Sequence, residues 1–289
     1  MHTPVLLREA VEFLNVQPGG TYIDATLGGG GHAEAILASL GSGKLLGIDR
    51  DPEALDRGRE RLAPFKERLI LVHGDFARID ELHAASGLPP ANGILADLGL
   101  SSDQLEDAQR GFSFDRSGPL DMRMDPNEPL RAAEIVNRFR EDELADLIFR
   151  LGEERYSRRI AREIVKARPI QTTAELAQAV RGAIPSRAGL HNLHPATRTF
   201  MALRLAVNHE LESLDEFLAK ALGVLAPHGR LVVISFHSLE DRRVKQAFVR
   251  WRNEGRAGIL TRRIVRPGEE EIRMNARSRS AKLRAAEAA

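Results

Sequence analysis

The sequence predicts an α/β protein with a Rossmann-like, mostly parallel sheet that is interrupted by an all-helical insertion. Three observations carry this. Thr21-Tyr-Ile-Asp-Ala-Thr-Leu-Gly-Gly-Gly-Gly-His32 reads as strand, glycine loop and helix start. Short apolar runs then alternate with helical stretches, and Asp24, Asp49, Asp75 and Asp97 fall at the ends of those runs, where ligands gather in a parallel sheet. From about Leu130 to Ala183 the apolar periodicity is helical throughout, with no strand signal.

Taken in order, residues 3–14 read as a first helix, with Thr3 as cap and Pro4 in its first turn. The first strand leads to Asp24, and a helix runs from His32 to Leu40. A second strand, Lys44 to Ile48, ends in Asp49. Asp51-Pro52 opens a helix to about Leu62, with Asp51 as N-cap and Pro52 at the first helical position. Leu69–Val72 is a buried strand, and Asn92–Asp97 a fourth. Residues 103–129, rich in Asp, Gly and Pro but holding two Phe and two Met, form an ordered loop. In the helical insertion Tyr156, Ile160 and Ile164 make an apolar stripe beside a basic one of Arg155, Arg159, Arg162 and Lys166. That basic stripe is either a solvated face or an RNA contact. Pro185–Pro195 is a second loop, and a long helical stretch from His194 reaches about Leu225. Pro227-His-Gly229 breaks it before a fifth strand, Arg230–Ser235, and a helix to about Trp251. Edge strands are expected near Leu260–Val265 and Lys282–Arg284. The domain boundaries follow: 1–105 and 199–289 form the sheet domain, and 106–198 the insertion.

The glycine loop and Asp49 together make a nucleoside-binding unit. Glycines let backbone approach a ligand closely, the helix start offers free N–H groups, and an acid about 20 residues on can accept ribose hydroxyls. Gly28-x-Gly30-x-x-Ala33 also fits the dinucleotide fingerprint, so an NAD-dependent oxidoreductase is a competing reading at this point.

Composition narrows the classes. No run approaches the ~18 apolar residues of a membrane span, and the N-terminus lacks the blocks of a signal peptide. With no cysteine there is no disulfide and no thiolate metal site, which fits a cytoplasmic address. His191-x-x-His194 has no carboxylate beside it, so no metal is expected. The net charge is +1, yet residues 242–289 hold fourteen Lys/Arg against five Glu. Residues 1–241 hold 28 basic and 36 acidic residues. Such asymmetry points to a polyanion, RNA first.

Several blocks resemble one family: Gly-Gly-Gly-Gly-His32, Ile-Asp-Arg-Asp51, Asp97-Leu-Gly-Leu-Ser-Ser102, Arg110-Gly-Phe-Ser-Phe114, Gly118-Pro-Leu-Asp-Met-Arg-Met-Asp125, His194-Pro-Ala-Thr-Arg-Thr-Phe200 and Ser235-Phe-His-Ser-Leu-Glu-Asp241. The chain is similar over nearly its whole length to the bacterial small-subunit ribosomal RNA cytosine-N4 methyltransferases, the RsmH/MraW family. That resemblance implies a class I S-adenosylmethionine-dependent methyltransferase fold with a helical insertion. It implies methyl transfer to the exocyclic N4 of a cytidine in the decoding region of 16S rRNA. The partner is then small-subunit rRNA or the assembled small subunit, with no DNA and no membrane; a homodimer is left open. A non-enzymatic assembly factor with a vestigial pocket is the third reading, which the intact glycine loop, Asp49 and Asp97 oppose.

Carried over, the cofactor contacts fall on Gly30, Gly31 and His32, on Asp49 at the ribose, on Phe76 beside the adenine, and on Asp97 and Gln104 near the methionine portion. Asp75 is a further partner considered for the adenine amino group. The amino nitrogen is a poor nucleophile, so catalysis rests on positioning and on acceptors aimed at its hydrogens. The segment from Asp97 stands where many amino-methyltransferases carry Asp/Asn/Ser-Pro-Pro-aromatic, but here there is no Pro-Pro and no aromatic. Asp97 with Ser101 or Ser102 is the expected catalytic group, and His237 serves the later proton transfer. Helix capping is the competing role for Ser101 and Ser102. Phe112, Phe114, Phe236 and His237 are the candidates to stack on the base.

Overall fold

Among the described residues seven strands make one sheet: β1 (Thr21–Asp24), β2 (Lys44–Asp49), β3 (Leu69–His73), β4 (Ala91–Asp97), β5 (Leu225–Ser235), β6 (Ala257–Ile259) and β7 (Lys282–Ala288). Their order is β3-β2-β1-β4-β5-β7-β6. The first five run parallel, and β7 lies antiparallel between β5 and β6. This computed structural model describes residues 4–185 and 194–289. The chain forms two compact units, Met1–Leu100 with Leu211–Ala289, and Ser101–Glu210.

Side chains alternate across a strand, and both faces of this sheet are covered. Tyr22, Leu45, Leu95 and Val232 face one core with α1 (Leu7–Leu14), α2 (Gly31–Ser39) and α3 (Pro52–Arg61). Ile23, Leu46, Ile94 and Val233 face the other. α1 starts at Leu7, later than expected, because Leu6 takes a left-handed conformation (φ 52°) and its N–H donates to Glu271 Oε1 at 2.8 Å. Thr3 lies outside the described residues. Asp51 caps α3 as its sequence implies, accepting from Glu53 N at 3.1 Å. β3 is half-buried, not buried, since it closes the sheet at one edge. α4 (Ile79–Ser86) leads to β4.

The second unit contains α5 (Ser102–Glu106), α6 (Ala132–Arg138), α7 (Glu141–Gly152), α8 (Ser157–Ala167), α9 (Thr173–Ala183) and α10 (Thr197–Val207). α10 packs on α7, which is why it groups with this unit. The loop before α6 is ordered by its arginines: Arg110 donates to the carbonyls of Arg123 and Met124, and Arg123 forks onto Asp121 at 2.8 Å through both Nε and Nη2. The loop from Pro185 to Pro195 falls largely outside the described residues, as does His191. The expected unbroken helix after His194 is in fact two. It stops at Asn208, whose side chain accepts from Met124 N and donates to Met122 O (2.7 Å each), and His209 takes φ 49°.

α11 (Glu210–Val224) and α12 (Ser238–Asn253) cover the second face of the sheet through Leu214, Phe217, Val244, Phe248 and Trp251. β5 begins at Leu225, earlier than expected, because the chain stays paired through Pro227-His-Gly229 by means of a bulge opposite Ala91/Gly93, with His228 at φ 61°. Downstream, the pairing near Leu260–Val265 reduces to β6 and a single Val265–Leu283 bridge, while β7 runs on to Ala288 and is an interior strand. α13 (Glu269–Met274) supplies Glu271.

Candidate active site

The carboxyl ends of β1, β2 and β4 bring three aspartates to one rim of the sheet. Asp24 is 1% exposed; its Oδ1 accepts from Thr26 N at 3.2 Å, and its Oδ2 is buried without a hydrogen-bond partner. Thr26 in turn accepts from Asp97 N at 2.6 Å, tying the end of β1 to the end of β4. Burial, reinforced by the nearby charge of Asp49, pushes the Asp24 carboxyl up to about 8.

Asp49 organises the glycine loop. Its Oδ2 accepts from Gly28 N at 2.7 Å and its Oδ1 from Asp51 N at 2.8 Å. Burial raises this carboxyl to about 6, against the opposing pull of those N–H groups. Gly30 caps α2 at φ 73°, a conformation that favours glycine. Gly31 needs its missing side chain for a reason within the chain itself: a Cβ there would lie 2.3 Å from Pro4 Cγ.

His32 faces inward, not to solvent, and is 6% exposed. Its Nε2 lies 3.0 Å from the Val5 carbonyl, which can only accept, so Nε2 carries a proton. Nδ1 then points to Asp97 Oδ2 at 3.7 Å. The other oxygen, Asp97 Oδ1, is buried without a hydrogen-bond partner. Burial holds the Asp97 carboxyl well above its usual range, and the charges of Asp24 and Glu240 add to this.

Glu240 is a residue the sequence reading passed over. It is 3% exposed and sits in the first turn of α12. Its Oε2 accepts from Phe236 N at 2.8 Å and His237 N at 3.3 Å. His237 caps α12 through Nδ1, which accepts from Glu240 N at 3.4 Å; its Nε2 lies 3.1 Å from Glu240 Oε1 without hydrogen-bond alignment. The clamp fixes the turn after β5, and β5 is the direct neighbour of β4: Asp97 pairs with Ile234 in register. Phe236 lies against Gly99 just beyond Asp97, its ring edge 3.6 Å from where a Cβ at Gly99 would stand. The His237-x-x-Glu240 spacing of a capping box was the signal that could have found the clamp.

Asp75 falls two residues beyond β3 and is turned back on the chain. It accepts from Ala77 N at 2.9 Å and Ser213 Oγ at 2.8 Å, and it pairs with Arg50. The adjacent Phe76 is half-buried, edge-on to Phe217 with centroids 5.1 Å apart.

The remaining expected residues belong to the helical unit. Ser101 is a helix cap: its Oγ accepts from Gln104 N at 3.2 Å while Gln104 Oε1 accepts from Ser101 N at 3.0 Å. Ser102 is the first residue of α5. Phe114 stacks on His194 at 4.4 Å and meets Phe200 edge-on at 5.0 Å, and Phe112 is buried beneath Arg110. Both rings pack within the helical unit, while Phe236 and His237 follow the end of β5 in the sheet unit. Among the described residues no group of three or more His, Asp or Glu is arranged to hold a metal, and no helix is long and apolar enough to cross a membrane.

A parallel sheet with one antiparallel strand next to its fifth, a glycine loop tied to the acid ending β2, and aspartates gathered at the rim define a Rossmann-like methyltransferase fold. A provisionally named rRNA methylase from Clostridium thermocellum shares this fold at a TM-score of 0.50, with 12% identity and all of both chains covered. The chain belongs to the MraW methylase family, whose model matches residues 1–289. It is 52% identical to ribosomal RNA small subunit methyltransferase H of Syntrophobacter fumaroxidans, covering 99% of this chain and 96% of that protein. It is 50% identical to the protein of the same name from Cyanothece sp., covering 99% and 94%. Family membership sets aside the oxidoreductase reading of the glycine loop.

Proposed function

We propose that this chain transfers the methyl group of S-adenosylmethionine to the exocyclic N4 of a cytidine in the decoding region of 16S rRNA. The observation that carries the reading is Asp97: a half-buried carboxylate at the end of β4, with Oδ1 buried and lacking any hydrogen-bond partner and Oδ2 facing His32. Unsatisfied buried acceptors are costly and call for a ligand. Together with the orphaned Oδ2 of Asp24 they suit the cationic methionine end of this cofactor, which when bound supplies an electrophilic sulfonium methyl. The full-length likeness to proteins named small subunit methyltransferase H supports the RNA substrate.

In this reading Asp49 accepts the ribose hydroxyls with lone pairs that Gly28 and Asp51 leave open, and Phe76 offers a face to the adenine. Gly30, Gly31 and His32 bring backbone close to the ligand, and the resemblance alone assigns Gln104 to the methionine portion. The N4 lone pair is delocalised into the ring, so an acceptor must hold the amino hydrogens and let that lone pair localise. Asp97 is that acceptor. A carboxyl held well above its usual range is also suited to receive the proton that nitrogen sheds after transfer. His237, at the start of α12 just after β5, is the alternative route for that proton. Ser101 and Ser102 act through the cap that shapes the segment following Asp97. The partner is small-subunit RNA, free or assembled, the setting is the cytoplasm, and a monomer or a homodimer serves equally.

The test is methyl transfer onto small-subunit particles from cells lacking this protein, with digested nucleosides read by mass spectrometry. N4-methylcytidine appearing only with the added chain and cofactor is the expected result. Cofactor binding with no methylated nucleoside would contradict it.

A further inference from the structure

We propose that the outer face of α12 is a docking track for the phosphate backbone of the RNA, leading away from the site at which His237 and Glu240 begin the helix. The proposal rests on the reading of small-subunit RNA as substrate. Val244, Ala247, Phe248 and Trp251 bury the inner face of α12 in the core. On the opposite face Arg242, Lys245, Gln246, Val249, Arg250 and Asn253 recur at helical spacing and line a groove of about 570 Å³. Arg242, Lys245 and Arg250 are exposed, and the one acid on the groove, Glu254, is 3.3 Å from Arg256 and so matched by a further cation. The three cations span eight residues, about 12 Å at 1.5 Å per residue, which suits successive phosphates of one strand better than a single anion.

The other basic stripe of the molecule, on α8, has a different character. Arg162 faces Glu141 at 3.6 Å, Lys166 is bonded to Glu163 at 2.8 Å, and Arg155 stacks on Tyr156 at 4.7 Å. Two cations of that stripe, Arg162 and Lys166, thus meet acids of their own unit. α12 opens a long stretch of sequence with a large cationic excess, fourteen Lys/Arg against five Glu from Arg242 onward. Its first turn carries the clamp beside Asp97, and its basic face starts at Arg242, two residues after Glu240. A strand whose target base reaches the β4–β5 rim therefore finds cations at once along α12. Phosphate contacts of this kind fix register and orientation without reading sequence.

The experiment compares wild type with Arg242→Gln/Lys245→Gln/Arg250→Gln, using a small-subunit rRNA transcript at graded salt. Each lost phosphate contact flattens the slope of log K against log salt by about 0.7–0.9, so the triple variant should lose about 2 from the slope. The KM for RNA should rise tenfold or more while kcat at saturating RNA, cofactor affinity and melting temperature stay near wild type. Unchanged slope and KM in a folded variant would overturn the proposal. So would unchanged RNA binding with an altered sedimentation mass, which would make the face a contact between copies. Should the triple variant fail to fold, Arg250→Gln alone is expected to flatten the slope by about 0.7–0.9, and no change there would overturn it equally. If wild type binds the transcript yet methylates nothing, the functional reading fails, while the salt slopes still decide the track.

Discussion

In the helical unit Asp121 is half-buried, yet the fork of Arg123 holds its carboxyl below the usual range; Lys166 does the same for Glu163. At the rim of the sheet, burial drives Asp24 and Asp97 the other way, and each keeps an oxygen without a partner. Both regions are rich in charge, but only one leaves its charge unresolved. Carboxylates that the fold itself satisfies stabilise it. Those it buries and leaves unmatched cost stability, and their retention points to a ligand.

That contrast can be broken most visibly at Asp24. Its raised folded carboxyl binds a proton more tightly than the unfolded chain does, so its contribution falls as pH rises from about 4 to about 8. Asp24→Asn should therefore be more stable than wild type at pH 8, by up to about 5 kcal/mol, with the gap closing below pH 4. Denaturant melts of both proteins across that range check this.

Gly31→Ala sharpens the comparison at the loop. The clash with Pro4 predicts a loss of about 1–3 kcal/mol in unfolding free energy, relieved in part by Pro4→Ala. A loss of cofactor affinity with unchanged stability would instead make Gly31 a ligand contact alone.

Glu240→Gln keeps the size of the clamp but removes the negative charge that helps raise Asp97. Activity should fall about tenfold, one broken positioning contact, and the acidic limb of the pH–rate profile should move to lower pH. A profile that does not move would make Glu240 purely structural.

The smallest effect belongs to the helical unit. Ser101→Ala should cost about 1 kcal/mol of stability through the lost cap, with methyl transfer within a few-fold of wild type. A hundredfold loss of rate would return Ser101 to the chemistry.

The sequence made legible what local pattern controls. Strand, glycine loop and helix from Thr21 to Ser39, the N-cap at Asp51 and the aspartates ending β1, β2 and β4 are all set by neighbours within a few residues. What stayed hidden depends on partners far along the chain. Asp75 looks equivalent to the other rim acids until Ser213, from α11, and Arg50 take up its oxygens. The inward turn of His32 depends on the carbonyl of Val5, 27 residues earlier. β7 has no periodicity that announces an interior strand, because its place between β5 and β6 is fixed only by antiparallel pairing with both. Gly31 was legible as a glycine position, but the atom that requires it belongs to Pro4.

In the proposed reaction Asp97, whose Oδ1 has no hydrogen-bond partner, holds the amino group at the moment of transfer. Asp97→Asn keeps the shape and removes the charge, so single-turnover methyl transfer to small-subunit particles, with cofactor already bound at saturation, measures that role directly. The expected rate is about 10²–10³ lower than wild type, in the range of removing one transition-state hydrogen-bonding group. A variant that, saturated with cofactor, methylates at the wild-type rate would contradict it.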